Sequence, residues 1–157
     1  MNWSLATDII LYSSIALLAV LAFFGLYQWI SRKSLKKVDR ALRLVPLPLI
    51  LMVITYFIFD NLLILATAPN DPTKPSFPST HVMVVATIFL LVALILPRYL
   101  KSKPLRLTID FLMLTLFAVV AAGRIIIGAH WPTDVACGAV FAIIFATVYY
   151  LMLKEKK

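Results

Sequence analysis

Five stretches of this sequence each run for about twenty residues with almost no charge, the length a helix needs to cross the hydrocarbon core of a bilayer. They are Ile9–Ile30, Leu44–Ala68, Ser79–Leu96, Leu105–Ile127 and Pro132–Leu153. Lipid offers no hydrogen bonds, so each run must satisfy its own backbone, and a helix does that. A chain of 157 residues that is 62% hydrophobic and 14% charged also has too little polar surface to enclose a soluble core. The expected fold is all-α: a polytopic membrane helix bundle of five transmembrane helices in one domain, residues 1–157. Pro46, Pro48 and Pro132 fall in opening turns, where a missing N–H costs least. Gly128 is placed to close the fourth helix. Met1–Thr7 carries no Lys or Arg and Ile9–Ile30 is too long for a cleaved signal, so the first helix is expected to be retained.

The charges sort by connection. Arg32, Lys33, Lys36, Lys37, Arg40 and Arg43 lie between helices one and two. Arg98, Lys101, Lys103 and Arg106 lie between three and four, and Lys154, Lys156 and Lys157 follow five. Basic residues favour the cytoplasmic face, so these connections are expected inside, the N-terminus outside and the C-terminus inside. Topology thus accounts for most of the formal net charge of +8, and nucleic-acid binding is not expected. Segment Arg32–Arg43 reads as an amphipathic surface helix with Leu35, Val38 and Leu42 on one side. Asp110 is expected to pair with Arg106 one turn earlier. Asp60, inside the second helix, needs a partner such as Lys74, Arg124 or its neighbour Asn61. Trp3, Tyr27, Trp29, Tyr99, Trp131, Tyr149 and Tyr150 read as interface anchors. Gly138, Ala142 and Ala146 repeat every four residues, which suits close helix packing. The lone Cys137 cannot form an intrachain disulfide and reads as a packed thiol.

Only Lys74 and Arg124 among the basic residues fall on the outer connections, and both histidines lie beside them. In Pro78-Ser79-Thr80-His81, Ser79 or Thr80 is a good N-cap, which puts His81 in the first turn of helix three. Free N–H groups and the positive end of the dipole there suit an oxyanion, with Ser79 as a further donor and His81 as a proton donor. The bland alternative is that Ser79 only caps and His81 only sits at the interface. In Gly123-Arg124-x5-His130-x3-Asp134, the Asp134 carboxylate can reach back to His130, leaving the other imidazole nitrogen as nucleophile or base. Arg124 offers a planar fork that matches phosphate oxygens. The bland alternative here is an Arg124–Asp134 ion pair beside an idle imidazole.

These two stretches resemble the second and third signature motifs of the type-2 phosphatidic acid phosphatase superfamily, which includes integral-membrane lipid phosphatases and vanadium haloperoxidases. The second motif there reads Pro-Ser-Gly-His and the third Ser-Arg-x5-His-x3-Asp. The resemblance implies that His130 attacks phosphorus to form a phosphohistidine, Asp134 supports His130, and His81 protonates the leaving oxygen. It implies that Arg124, Ser79 and a backbone N–H near Thr80 hold the phosphoryl oxygens, with no metal or other cofactor. The substrate it implies is a lipid phosphate reached from the surrounding membrane lipids: a polyprenyl diphosphate, a phosphatidylglycerol phosphate or a phosphatidate.

Three positions depart from the pattern. Thr80 stands where the superfamily has Gly, and Gly123 where it has Ser. The first motif, Lys-x6-Arg-Pro, is present only as Thr67 and Lys74-Pro75, with Lys74 as the remaining candidate phosphate ligand. A membrane lipid phosphatase with its site on the outer face is the expectation. A non-catalytic lipid-phosphate binder that kept the anion pocket is the alternative.

Overall fold

The computed structural model describes residues 2–154. Lys156 and Lys157, counted above among the inner cations, lie outside the described residues. Helix α1 spans Trp3–Arg32, opened by the Asn2 side chain, which accepts from the Leu5 N–H at 3.2 Å. A short α2 (Arg40–Leu44) leads into α3 (Pro46–Phe57), which continues through one wider turn over Ile58–Leu62. A small hairpin follows, β1 (Thr67–Ala68) antiparallel to β2 (Asp71–Pro75). Helices α4 (Thr80–Tyr99), α5 (Lys103–Ile126) and α6 (Pro132–Lys154) complete the chain. The helices α1, α4, α5 and α6, and the run Arg40–Leu62, are each long and apolar enough to cross a membrane.

Helix α4 is the buried post of the bundle. Val82, Val85, Ile88, Leu91 and Ile95 are all at most 2% exposed, while α1 and α5 show Phe23, Ile30, Phe111 and Leu114 outward. That distribution is what lipid permits, because outward apolar side chains cost nothing there. Helix α6 lies closest to α4 through Gly138, where an added Cβ would sit 2.8 Å from the Ser79 carbonyl oxygen. Ala142 and Ala146 continue this buried stripe, as their four-residue spacing predicts.

The second crossing differs from expectation at both ends. It stops at Leu62, not Ala68, and begins at Arg40. Leu63–Ala66 are apolar but extended, because Ala66 accepts the Ser76 N–H at 2.9 Å at the base of the hairpin. Hydrophobicity alone cannot distinguish an extended apolar run from one more helical turn. Arg32–Arg43 is not one amphipathic helix either. The Asp39 carboxylate accepts from the Ala41 N–H at 3.1 Å and starts α2 afresh, burying Val38 and Leu42 and leaving Leu35 out.

Asp39 also ties the basic end of the bundle together. Its backbone N–H donates to Gln28 of α1 at 2.9 Å, and its carboxylate accepts from the Tyr99 hydroxyl at 2.7 Å and faces Arg98. Tyr149 is buried there and donates to the Ala41 carbonyl at 2.9 Å, so it is a packing residue and not the expected interface anchor. Asp110 does not meet Arg106. It lines an apolar cavity of about 370 Å³ among α4, α5 and α6, with one carboxylate oxygen buried and unpartnered among the described residues.

Candidate active site

At the opposite end of the bundle, four chain segments converge: the start of α1, the hairpin loop before α4, the end of α5 and the loop into α6. Gly128 lets the chain leave α5, adopting φ +67, which only glycine takes without strain. Its carbonyl accepts from the Asn70 N–H at 3.0 Å, and the Trp131 indole donates to the Thr67 carbonyl at 2.9 Å. The hairpin, which the sequence reading missed, is therefore clamped onto the α5–α6 loop. From below, Phe59 meets Phe77 edge-on at 5.3 Å and Phe141 at 5.6 Å, packing the wide turn after α3 against the loop and α6.

His130 is 8% exposed. Its Nδ1 lies 2.7 Å from the Ser76 carbonyl, which can only accept, so Nδ1 carries the proton. The lone pair is then on Nε2, which faces the Arg124 guanidinium at 3.5 Å. Burial, with the Arg124 and His81 charges, pushes the imidazole down from 6.5 to about 4, against the Ser76 carbonyl and Asp134. At neutral pH it is an uncharged base with an oriented lone pair.

Asp134 does not hold that imidazole. Its carboxylate accepts the Trp131 N–H at 2.9 Å, capping α6, and its carbonyl accepts the Ser79 N–H at 3.0 Å. A carboxylate four residues after a loop histidine, on a helix opened by Pro132, meets the free N–H of the turn before it can reach the ring. The Ser76 carbonyl, invisible to motif reading, takes the role expected of Asp134. Asp134 is also not paired with Arg124, whose Nε is buried without a partner among the described residues.

His81 falls in the first turn of α4 as expected, with Ser79 at the N-cap position. The Ser79 hydroxyl makes no cap bond and, among the described residues, is buried without a partner, as is the Ser76 hydroxyl. Buried donors left over at one place suit a polar ligand. The sequence reading missed the partner of His81: Nε2 lies 3.0 Å from the carboxylate of Asp8, on α1. Its signal was a charge at the rim of an otherwise apolar helix. The Arg124 charge is felt at His81, His130 and Asp8 alike, so these groups form one cluster.

Lys74 is not brought to the histidines. It is exposed on the hairpin and pairs with Asp71 at 2.9 Å. Thr80 does line a narrow cleft beside His130, together with Tyr56, Asp60 and Ser76. The cleft encloses about 20 Å³, room for little more than one water and too small for a phosphoryl group. Asp60 meets Tyr56 in that cleft, not Lys74 or Arg124. Among the described residues no three of His, Cys, Asp and Glu gather as metal ligands would.

The sequence pattern of the PAP2 superfamily matches residues 55–157, well over half of the chain. The chain belongs to the PAP2 superfamily. No curated protein and no solved structure matches it. PAP2 superfamily members are generally phosphatases, and with five helices able to cross a bilayer this one is a multi-pass membrane protein. The match starts at Thr55, so α1 and its Asp8 lie outside the part shared with the PAP2 pattern.

Proposed function

We propose that this protein is an integral-membrane lipid phosphatase that works through a phosphohistidine on His130. The observation that carries this is the imidazole itself: proton fixed on Nδ1 by a carbonyl, neutral at working pH, lone pair on Nε2 facing a half-buried guanidinium. Nε2 attacks phosphorus, the bond to the leaving oxygen breaks, and His81 gives that oxygen its proton. Water then attacks the phosphohistidine while His81 takes a proton back, and phosphate leaves. Arg124, the Ser79 hydroxyl and the free N–H groups at the start of α4 hold the phosphoryl oxygens. Asp134 holds the Trp131–Pro132 turn, and through it the backbone around His130.

The reaction uses no metal on this reading. The substrate is a phosphomonoester or diphosphate of a lipid, with a polyprenyl diphosphate favoured over a phosphatidylglycerol phosphate or a phosphatidate. The site faces the non-cytoplasmic side of the cell membrane, as the cations at the other end of the bundle support. The test is turnover of these three lipids by purified protein in detergent containing a chelator. Phosphate release that disappears in His130→Ala supports the reading; equal release by that variant removes His130 as nucleophile.

Lys74 favours one other reading. With that cation outside the site, the protein is left with fewer phosphate ligands and can act as a lipid-phosphate binder. Tight binding of all three lipids with no release of phosphate would decide for it.

A further inference from the structure

Resting on the phosphatase reading, we propose that Asp8 of α1 is the positioning residue for His81, holding the acid by Nε2 so that the second ring nitrogen serves the leaving oxygen and then the attacking water. The contact is direct, 3.0 Å between Nε2 and the carboxylate. It depends on how closely α1 approaches α5. Gly123 has no side chain, and a Cβ there would lie 2.6 Å from the Thr7 methyl and 3.2 Å from the Trp3 ring. Thr7 turns its hydroxyl to the Ser4 carbonyl at 2.9 Å and so presents that methyl. The residues next in chain, Asp8 and Arg124, are thereby brought within electrostatic reach of each other and of His81.

The charged groups near His81 are Asp8 from α1 and Arg124 from α5, with the uncharged His130 beside them on the α5–α6 loop. Of these, the Asp8 carboxylate is in direct contact with the ring. In the first step the proton on the second ring nitrogen passes to the leaving oxygen as the P–O bond breaks, leaving neutral His81 with Nε2–H still donated to Asp8. In the second step the same nitrogen accepts a proton from water as water's oxygen bonds to phosphorus and the P–N bond breaks. The carboxylate never gains or loses a proton, so it fixes the ring without entering the transfer.

The experiment compares two substrates on purified full-length protein: phosphatidate, whose alkoxide must be protonated to leave, and p-nitrophenyl phosphate, whose phenolate leaves without a proton. Asp8→Asn should lower the single-turnover rate of phosphatidate cleavage by about tenfold or more while hardly changing the first-turnover burst of p-nitrophenolate, which precedes the step in which His81 takes a proton from water. His81→Ala should show the same split, the double variant should lose no more than His81→Ala alone, and Asp8→Glu should restore most of the phosphatidate activity. Equal losses on both substrates, or none on either, would overturn the role of Asp8 while leaving the phosphatase intact. Should Asp8→Asn not fold, Asp8→Ser is judged on the same split. A wild-type protein that releases no phosphate from the aryl ester or from any of the three lipids, or a fully active His130→Ala, would instead remove the phosphatase reading, and the role of Asp8 with it.

Discussion

Gly123 occupies the place where the superfamily's third motif has Ser, and the packing explains why a hydroxyl is absent. The space a side chain would need is filled by Thr7 and Trp3 of α1. Gly123→Ser should therefore not add a donor but push α1 away, costing about 1–3 kcal/mol of stability. Thr7→Ser, which deletes the obstructing methyl, should recover much of that loss in the double variant; thermal unfolding in detergent checks both. His130 makes a second prediction at this scale. Folded, its imidazole titrates at about 4; unfolded, at its ordinary 6.5. Between those values the unfolded chain binds a proton that the folded one refuses, so stability rises with pH across that window and is flat above it. His130→Asn, which keeps a donor for the Ser76 carbonyl, should abolish this dependence, worth about 3 kcal/mol in the wild type. Unfolding midpoints of both proteins from pH 4 to 7 measure it; parallel curves would contradict it.

Helix α6 is fitted to α4 at Gly138, against the Ser79 carbonyl; the first turn of α4 carries His81, and the loop leading into α6 carries His130. Gly138→Val should force the two apart and misplace the imidazoles, lowering kcat by about 100-fold for a shift of an ångström. Retained helical content with lost turnover would confirm that the register of these two helices sets the site. Sequence pattern made these elements legible. The five apolar runs gave five crossings, Ser79 and Pro132 marked the starts of α4 and α6, and Gly138-Ala142-Ala146 marked the contact face. The misses have two causes: short-range contacts that competed with the motif roles, and long-range contacts that no local pattern contains. The hairpin was hidden because Leu63–Ala66 is as apolar as the helix before it. Asp134 and Lys74 matched motif positions by spacing, yet each satisfies a nearer neighbour, the Trp131 N–H and Asp71. Asp8 and the Ser76 carbonyl come to the histidines from 73 and 54 residues away in sequence.

Across the whole molecule the two ends of the bundle have opposite characters. One gathers both histidines, Arg124 and a hairpin whose one Lys is paired with Asp71. The other carries the connections with Arg32, Lys33, Arg40, Arg43, Arg98, Lys101, Lys103 and Arg106, where Asp39 faces Arg98. In the orientation proposed above, the cation-rich connections lie in the cytoplasm, and a lipid phosphate bound at the far rim would have its headgroup in the non-cytoplasmic leaflet. Single cysteines in a Cys137→Ala background separate the two orientations. In intact cells, Lys74→Cys should react with a membrane-impermeant maleimide and Lys101→Cys should react only after the membrane is opened. Lys74 is the better probe because it is exposed and its loss touches neither histidine. The reverse pattern would turn the site to the cytoplasm, and the substrate would then have to come from the inner leaflet, beside the very cations that the charge rule assigns there.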